Sequence, residues 1–285
     1  MSDLSCTLSA LHLYPVKSCA GIGVTSAPLA ETGLDLDRVW MVVDAHGEML
    51  TQREHPRLAL VQTHLGHDDV RLRAPGMLAL HLALDAVEQR TRVRVWDDVV
   101  RAYDMGALAG QWFSDFLGLK GLQLVRFDPE ERRLSDRAST GDLEAETAFA
   151  DGFALLVCST ASLDELNRRL QATGHDAVTM ARFRPNLVLD GLADPHTEDF
   201  IDTLEIAAPE GPVVLRLVKP CVRCTIPDID PVTALRGHQV GDTLRDYRAD
   251  LRMNGGLTFG MNAVIASGVG HTLKAGAAAA ATLKF

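Results

Sequence analysis

The chain has 285 residues, 47% of them hydrophobic, which is enough to bury one large core or two medium ones. Its 38 acidic residues outweigh 28 Lys and Arg for a formal net charge of −10, and this argues against a nucleic-acid partner, because binding a polyphosphate needs a basic face. No apolar run reaches the ~18 residues that span a bilayer, no basic and then apolar leader opens the chain, and the five cysteines lack framework spacing, so a soluble, cytoplasmic protein with reduced thiols and no membrane partner is expected.

Short β-branched or alternating runs, broken by Gly, Pro and Asp, predict strands over residues 7–14, 38–44, 58–65, 70–74, 91–95 and 99–103. The next segment, 107–117, carries Leu108, Trp112, Phe113 and Phe116 at helical offsets and is followed by Gly118, a helix with its stop. The charged stretch 128–146 reads as an exposed excursion, just beyond a domain boundary placed near residue 125. A second helix opens near Ser159, with Ser162 and Glu165 in capping-box spacing and Leu163, Leu166 and Leu170 as its apolar stripe. Strands are expected at 186–189, 203–206, 213–218 and near 262–266, so the chain is mainly β with a few helices, an α+β composition. The Ala-rich stretch 275–281 has no period and is expected only to pack or fray. Trp40, Trp96 and Trp112 read as core aromatics, and His64 and His67 as a solvated turn.

Chemistry concentrates in Lys219-Pro220-Cys221-Val222-Arg223-Cys224-Thr225-Ile226-Pro227, expected as a rigid loop leaving the strand at 213–218. Two thiols stand beside two fixed cations, and neighbouring Lys219 and Arg223 would favour a thiolate at Cys224, the form that attacks and ligates soft metals. The prolines disfavour the helix that a redox Cys pair normally opens, and no second pair completes a zinc site. Two small buried thiols remain an equal alternative at this point. Three further segments carry cations at strand ends: Tyr14-Pro15-Val16-Lys17-Ser18-Cys19, Arg38 after Asp37, and Arg182-Phe183-Arg184-Pro185-Asn186. Lys17 with Ser18 suits an oxyanion, whereas Arg38 could equally pair with Asp35 or Asp37. Asp228 and Asp230 are proton-donor candidates by proximity alone, with a solvated turn as the alternative.

The ordered set Leu13-Tyr14-Pro15-Val16-Lys17-Ser18-Cys19, Phe183-Arg184-Pro185-Asn186 and Lys219-Pro220-Cys221-Val222-Arg223-Cys224 resembles MOSC-domain proteins of the amidoxime-reducing branch. Asp151-Gly152-Phe153, Phe259-Gly260-Met261-Asn262 and Gly270-His271-Thr272-Leu273-Lys274 extend the resemblance over nearly the whole chain. It implies two β-barrel domains, a MOSC N-terminal barrel over 1–125 and a MOSC barrel over 126–285, with molybdenum cofactor (Mo-molybdopterin) held between them. It further implies Cys224 as the molybdenum ligand and catalytic residue, with Cys221 structural. Lys17, Ser18, Arg38, Arg184 and Asn186 would hold the pterin and its phosphate, helped by groups around Asp151, Gly152 and Arg223. The implied activity is reduction of small N-hydroxylated substrates, and the alternative is a sulfur carrier or cofactor-delivery protein. Thr225-Ile226-Pro227 departs from the Thr-rich stretch of well-known members, which leaves substrate preference open. The four clustered cysteines of an iron–sulfur domain do not occur, so an external electron-transfer protein such as a ferredoxin, flavodoxin or similar reductase is expected.

Overall fold

The structure is a computed structural model that describes residues 2–284. The first half of the chain forms β1 (Leu4–Leu13), β2 (Ile22–Val24), β3 (Ser26–Ala30), β4 (Gly33–Leu34), β5 (Trp40–Val43), β6 (Gln62–Leu65), β7 (Asp69–Arg73), β8 (Leu80–Ala83), β9 (Gln89–Val95) and β10 (Asp98–Asp104). Then follow α1 (Ala107–Leu117), β11 (Gln123–Phe127), α2 (Arg137–Thr140), β12 (Leu155–Ser159), α3 (Thr160–Ala172), β13 (Leu187–Asp190), β14 (Ile201–Ile206) and β15 (Val213–Val222). The chain continues through α4 (Gln239–Tyr247), β16 (Ala249–Asp250), β17 (Gly256–Ser267), β18 (Thr272–Lys274) and β19 (Ala277–Leu283).

Seven strands close into a barrel in the order β12-β13-β1-β19-β14-β15-β17, the circle completed by antiparallel pairing of β17 with β12. Closure removes free sheet edges and leaves an interior for alternate side chains. β1 shows how: Cys6 and Leu8 point inward, a bulge between Leu8 and Ala10 adds one residue, and Leu11 and Leu13 then take the inward positions. Gly260 lies in β17 at φ 76°, where a Cβ would come within 2.5 Å of Cys158 Sγ and 2.7 Å of the Val157 carbonyl, so the close approach of β17 to β12 requires glycine there.

The Ala-rich stretch neither frays nor packs passively. It is β19, paired on one side with β1 and on the other with β14, and Ala279 and Ala281 are buried in the barrel core. Its strand conformation is imposed by two neighbours, and its small side chains give no local period to read.

Of the remaining strands, β2 pairs with β1 and β3 and β4 join β18, while β5, β11, β10 and β9 build a four-stranded sheet in that order and β6, β7 and β8 a three-stranded meander. One core lies between this sheet, the meander and α1, around Trp40, Phe113 and Phe116; a second covers the opposite face with Val93, Val100, Phe127 and Phe149. Helix α1 has the expected limits, and Gly118 ends it at φ 70° with its N–H on the Ser114 carbonyl. The cap of α3 lies one turn earlier than expected: Ser159 accepts from the Ser162 N–H, while Glu165 pairs with Arg168 and Arg169. A local Ser-x-x-Glu pattern could not reveal that Ser159 Oγ is also engaged by buried Glu198 at 2.8 Å.

Two further expectations change. The strand expected at 213–218 runs on to Val222, so Lys219, Pro220 and Cys221 belong to β15, and register shifts on both sides of Pro220 accommodate its missing N–H. The segment 128–146 is not wholly exposed: Asp128, Arg133, Ser135 and Thr140 are buried.

Candidate functional site

Where β1 leaves the barrel, the chain crosses to the four-stranded sheet and is pinned there, Lys17 N–H to the Trp40 carbonyl at 2.7 Å and Trp40 N–H to the Pro15 carbonyl at 3.0 Å. This delivers Lys17 and Ser18 to the floor of a cleft between the two halves of the fold. The Lys17 ammonium is buried and donates to the Phe149 carbonyl (2.7 Å) and to Asp151 Oδ1 (2.5 Å). Burial pulls its pKa below the ordinary lysine value, with Asp151 pushing the other way. Burial would raise Asp151, but Lys17, then Arg53 and the Trp96 indole N–H, hold its carboxyl well below the usual carboxylate range.

Arg38 and Arg184 converge on Tyr14, their guanidinium carbons 4.6 and 4.3 Å from its ring centroid. Arg38 takes the ion-pair alternative with Asp37 and also donates to Asn186 Oδ1 (3.0 Å) and the Arg184 carbonyl (3.1 Å). Arg184 donates to the Cys19 carbonyl at 2.6 Å, and its burial pulls its pKa down to about 10, so it stays charged at neutral pH. Asn186 is occupied internally, accepting from Leu156 N–H and donating to the His12 carbonyl, both at 3.2 Å. Ser18, Arg38 and Arg184 all adopt left-handed φ (66°, 53° and 59°), a conformation that costs non-glycine residues energy and concentrates at functional sites.

On the opposite wall β15 ends in the Cys pair. Cys221 Sγ accepts from Arg223 Nη1 at 3.0 Å, while Arg223 Nη2 donates to the Phe183 carbonyl at 2.9 Å; the Arg223 Nε is buried without a partner. Phe183 stacks on Phe259 at 3.8 Å behind it. Cys224 is exposed, the only one of the five thiols in that class, whereas burial pushes the Cys19 thiol up to about 12 and raises Cys6 and Cys158 as well. Arg223 faces Cys224 as expected, and a second cation there is one the sequence did not suggest. Burial works against the charge of Arg53, but Cys224 and Asp151 facing it raise its pKa.

Lys17, Ser18, Arg38, Asp151, Gly152, Arg184, Asn186, Arg223 and Cys224 therefore line one solvent-open cleft. Lys219, expected beside Cys224, instead sits 6.0 Å from the Phe153 ring centroid. Asp228 and Asp230 are tied down elsewhere: Asp228 accepts from Val240 and Gly241 N–H at the start of α4, and Asp230 accepts from Val232 and Thr233 N–H and from Arg182. Neither lines the cleft.

Three site residues escaped sequence reasoning. Arg53 has no pattern to mark it. Trp96, read as core, is 42% exposed; it occupies the β9–β10 turn at φ 55° and its indole donates to Asp151 at 3.2 Å under the Arg53 guanidinium. Arg133, hidden in the charged segment, is buried and clamps the cleft loop by donating to the carbonyls of Ala148 (2.9 Å), Ala150 (2.5 Å) and Asp151 (3.0 Å), with Nε on Asp98. A charge run in sequence gives no sign of which arginine faces inward.

Five cations and one carboxylate line a cleft of a net-acidic protein, which selects an anionic ligand. Among the described residues no group of three or more His, Cys, Asp or Glu could form a metal cage, so a metal at Cys224 would have to arrive with most of its ligands attached. This donor set fits a phosphate-bearing, metal-carrying cofactor.

Residues 5–120 match the MOSC N-terminal beta barrel domain, and residues 144–278 match the MOSC domain. The chain belongs to the MOSC-domain family. It is 33% identical over 251 residues to mitochondrial amidoxime-reducing component 1 of Mus musculus, covering 85% of this chain and 71% of that one. It is equally 33% identical over 251 residues to mitochondrial amidoxime reducing component 2 of Homo sapiens, covering 85% and 72%. Human molybdenum cofactor sulfurase matches at 30% over 267 residues, 87% of this MOSC protein but 29% of the sulfurase. Of these relatives, the sulfurase is the one named for the molybdenum cofactor. Among the described residues no helix is long and apolar enough to cross a membrane.

Proposed function

We propose that this MOSC protein is a molybdenum-cofactor-dependent reductase of small N-hydroxylated substrates such as amidoximes, hydroxylamines and N-hydroxylated bases. The observation that carries the reading is the exposed Cys224 thiol at the mouth of a cleft lined by Lys17, Arg38, Arg53, Arg184 and Arg223. Lys17, Ser18, Arg38 and Arg184 would grip the cofactor's phosphate and pterin, with Asn186 positioning Arg38, and backbone groups at Asp151 and Gly152 completing the cradle. The unpartnered Arg223 Nε offers one further donor. Cys224 would ligate the metal, and the Arg53 guanidinium sets a positive charge beside that sulfur.

When bound, the cofactor supplies the two-electron redox chemistry. The overall reaction breaks the N–O bond, consumes two electrons and two protons, and releases the amine or amidine and water. The chain's residues hold the substrate end open to solvent, the source of protons, since Asp228 and Asp230 are committed to backbone N–H groups. Electrons come from an external electron-transfer protein of ferredoxin, flavodoxin or similar type.

The sulfurase relatives, together with the presence of both Cys221 and Cys224 in the cleft, favour a second reading as a sulfur carrier or cofactor-delivery protein. Molybdenum per chain and pterin fluorescence, measured on wild type and Cys224→Ala from a cofactor-competent host, test the binding. Turnover of an N-hydroxylated substrate with an artificial reductant separates the two readings. Near-stoichiometric metal with turnover supports the reductase; retained cofactor without turnover supports cofactor delivery; absence of both metal and pterin removes the reductase and favours the sulfur carrier.

A further inference from the structure

The outer face of the β9–β10 hairpin carries an arginine cluster that the fold does not require. Register sets Arg92 directly opposite Arg101, Arg94 opposite Val99 and Arg90 opposite Tyr103, and Arg126 of β11 flanks Tyr103 from the other side. These positions alternate with the inward Val93, Val95, Val100, Ala102 and Val125, so five arginines share one face. Like charges directly across a ladder destabilise it. Relief is partial: Arg101 pairs with Glu131 at 2.5 Å and Arg94 with Glu48 at 2.9 Å, but exposed Arg92 has no acidic partner among the described residues. Arg90 rests over the Tyr103 ring at 5.8 Å and Arg126 over Trp40 at 5.9 Å. Arg, Tyr and Trp are the side chains that anchor protein interfaces.

The hairpin also leads to the cleft. Its tip is Trp96, strained at φ 55°, exposed, and joined to the cleft-lining Asp151 and Arg53. On a chain of net charge −10, a local basic face orients an acidic partner, which the rest of the surface repels.

We infer that this face is the docking surface for an acidic one-electron carrier protein, seated with its redox group toward the cleft across Trp96. The inference rests on the reductase reading. Two reduced carriers, docking in turn, each give up one electron per N–O bond cleaved, and the two protons come from solvent. Glu48 and Glu131 border the face and interrupt any track for a nucleic-acid backbone.

The test is a titration of the holoprotein with an acidic ferredoxin at low and physiological salt, for wild type and the Arg90→Glu, Arg92→Glu double variant. The expected result is salt-sensitive binding in the wild type and a Kd about tenfold weaker after reversal. Carrier-driven KM should rise about as much, while turnover with an artificial dye stays unchanged. Because reversal removes the Arg92–Arg101 repulsion, the variant should melt no lower than wild type, which excludes misfolding as the cause. A Kd within about twofold of wild type overturns the inference, as does equally tight binding of a single-stranded oligonucleotide. If the loaded wild type fails to turn over even with the dye, the reductase reading fails while the titration still decides the surface.

Discussion

Lys17 Nζ stands 2.5 Å from Asp151 Oδ1, a bond between residues 134 positions apart that ties the exit of β1 to the loop before β12. The cleft floor is held by this contact, with Arg53 and Trp96 closing on the same carboxylate from the other side.

Asp151→Asn should weaken that junction. The Asp151 side chain is 59% exposed, so screening keeps the loss near about 1 kcal/mol, but cofactor retention should fall with it. The sign with pH follows from the depressed carboxyl: its stabilisation is present above about pH 4, where the unfolded carboxyl is ionised, and is lost as pH falls toward the folded value. Urea midpoints for wild type and variant at neutral pH check this; identical midpoints and identical metal content would remove the role assigned to the pair.

His196 should make the fold acid-sensitive at milder pH. Both its ring nitrogens are buried without partners, and burial, aided by Arg248, pulls its pKa from 6.5 to about 4. Below 6.5 the unfolded chain takes up a proton that the folded chain refuses, so stability falls on acidification from about 6.5 to 4, by up to about 1.4 kcal/mol per pH unit. His196→Asn, which tolerates the left-handed φ of 61° at this position, should flatten the slope across that window. An unchanged slope counts against the assignment.

Thiol labelling of the native, cofactor-free protein should modify one cysteine quickly. Cys224 is exposed, Cys221 is half-buried and hydrogen-bonded to Arg223, and Cys6, Cys19 and Cys158 are buried. Cys224→Ser should abolish the fast phase, and the buried thiols should react only on unfolding. Fast labelling that survives in the variant would place the accessible thiol elsewhere.

Arg133→Met should destabilise by about 2–4 kcal/mol, because three backbone carbonyls of the cleft loop and Asp98 lose their donor together. Arg133→Lys keeps the charge but not the planar fork and should rescue little. A melting temperature within a degree or two of wild type in both variants would show that the loop is held by something else.

Much of the cleft was legible because its residues sit in short strand-end motifs: Tyr14 to Cys19, Phe183 to Asn186 and Lys219 to Cys224 each combine a strand signal, a proline and a cation. What each side chain does there was less legible. Asn186 is spent on Leu156, His12 and Arg38, Arg223 holds Cys221 and Phe183 as well as facing Cys224, and the second cation at Cys224 is Arg53, a residue with no motif around it.

By itself the sequence determined a mainly β chain, the limits of α1, the lack of an apolar run of bilayer-spanning length and the ordered motifs of a MOSC protein, because these depend on local period, turn chemistry and residue type. Tertiary structure alone decided that the Ala-rich stretch becomes β19 at the heart of the barrel, that Arg133 is buried, and that Trp96 leaves the core for the cleft rim. Each of those outcomes depends on partners more than seventy, fifteen or more, and fifty-five positions away respectively, and no local pattern encodes a partner.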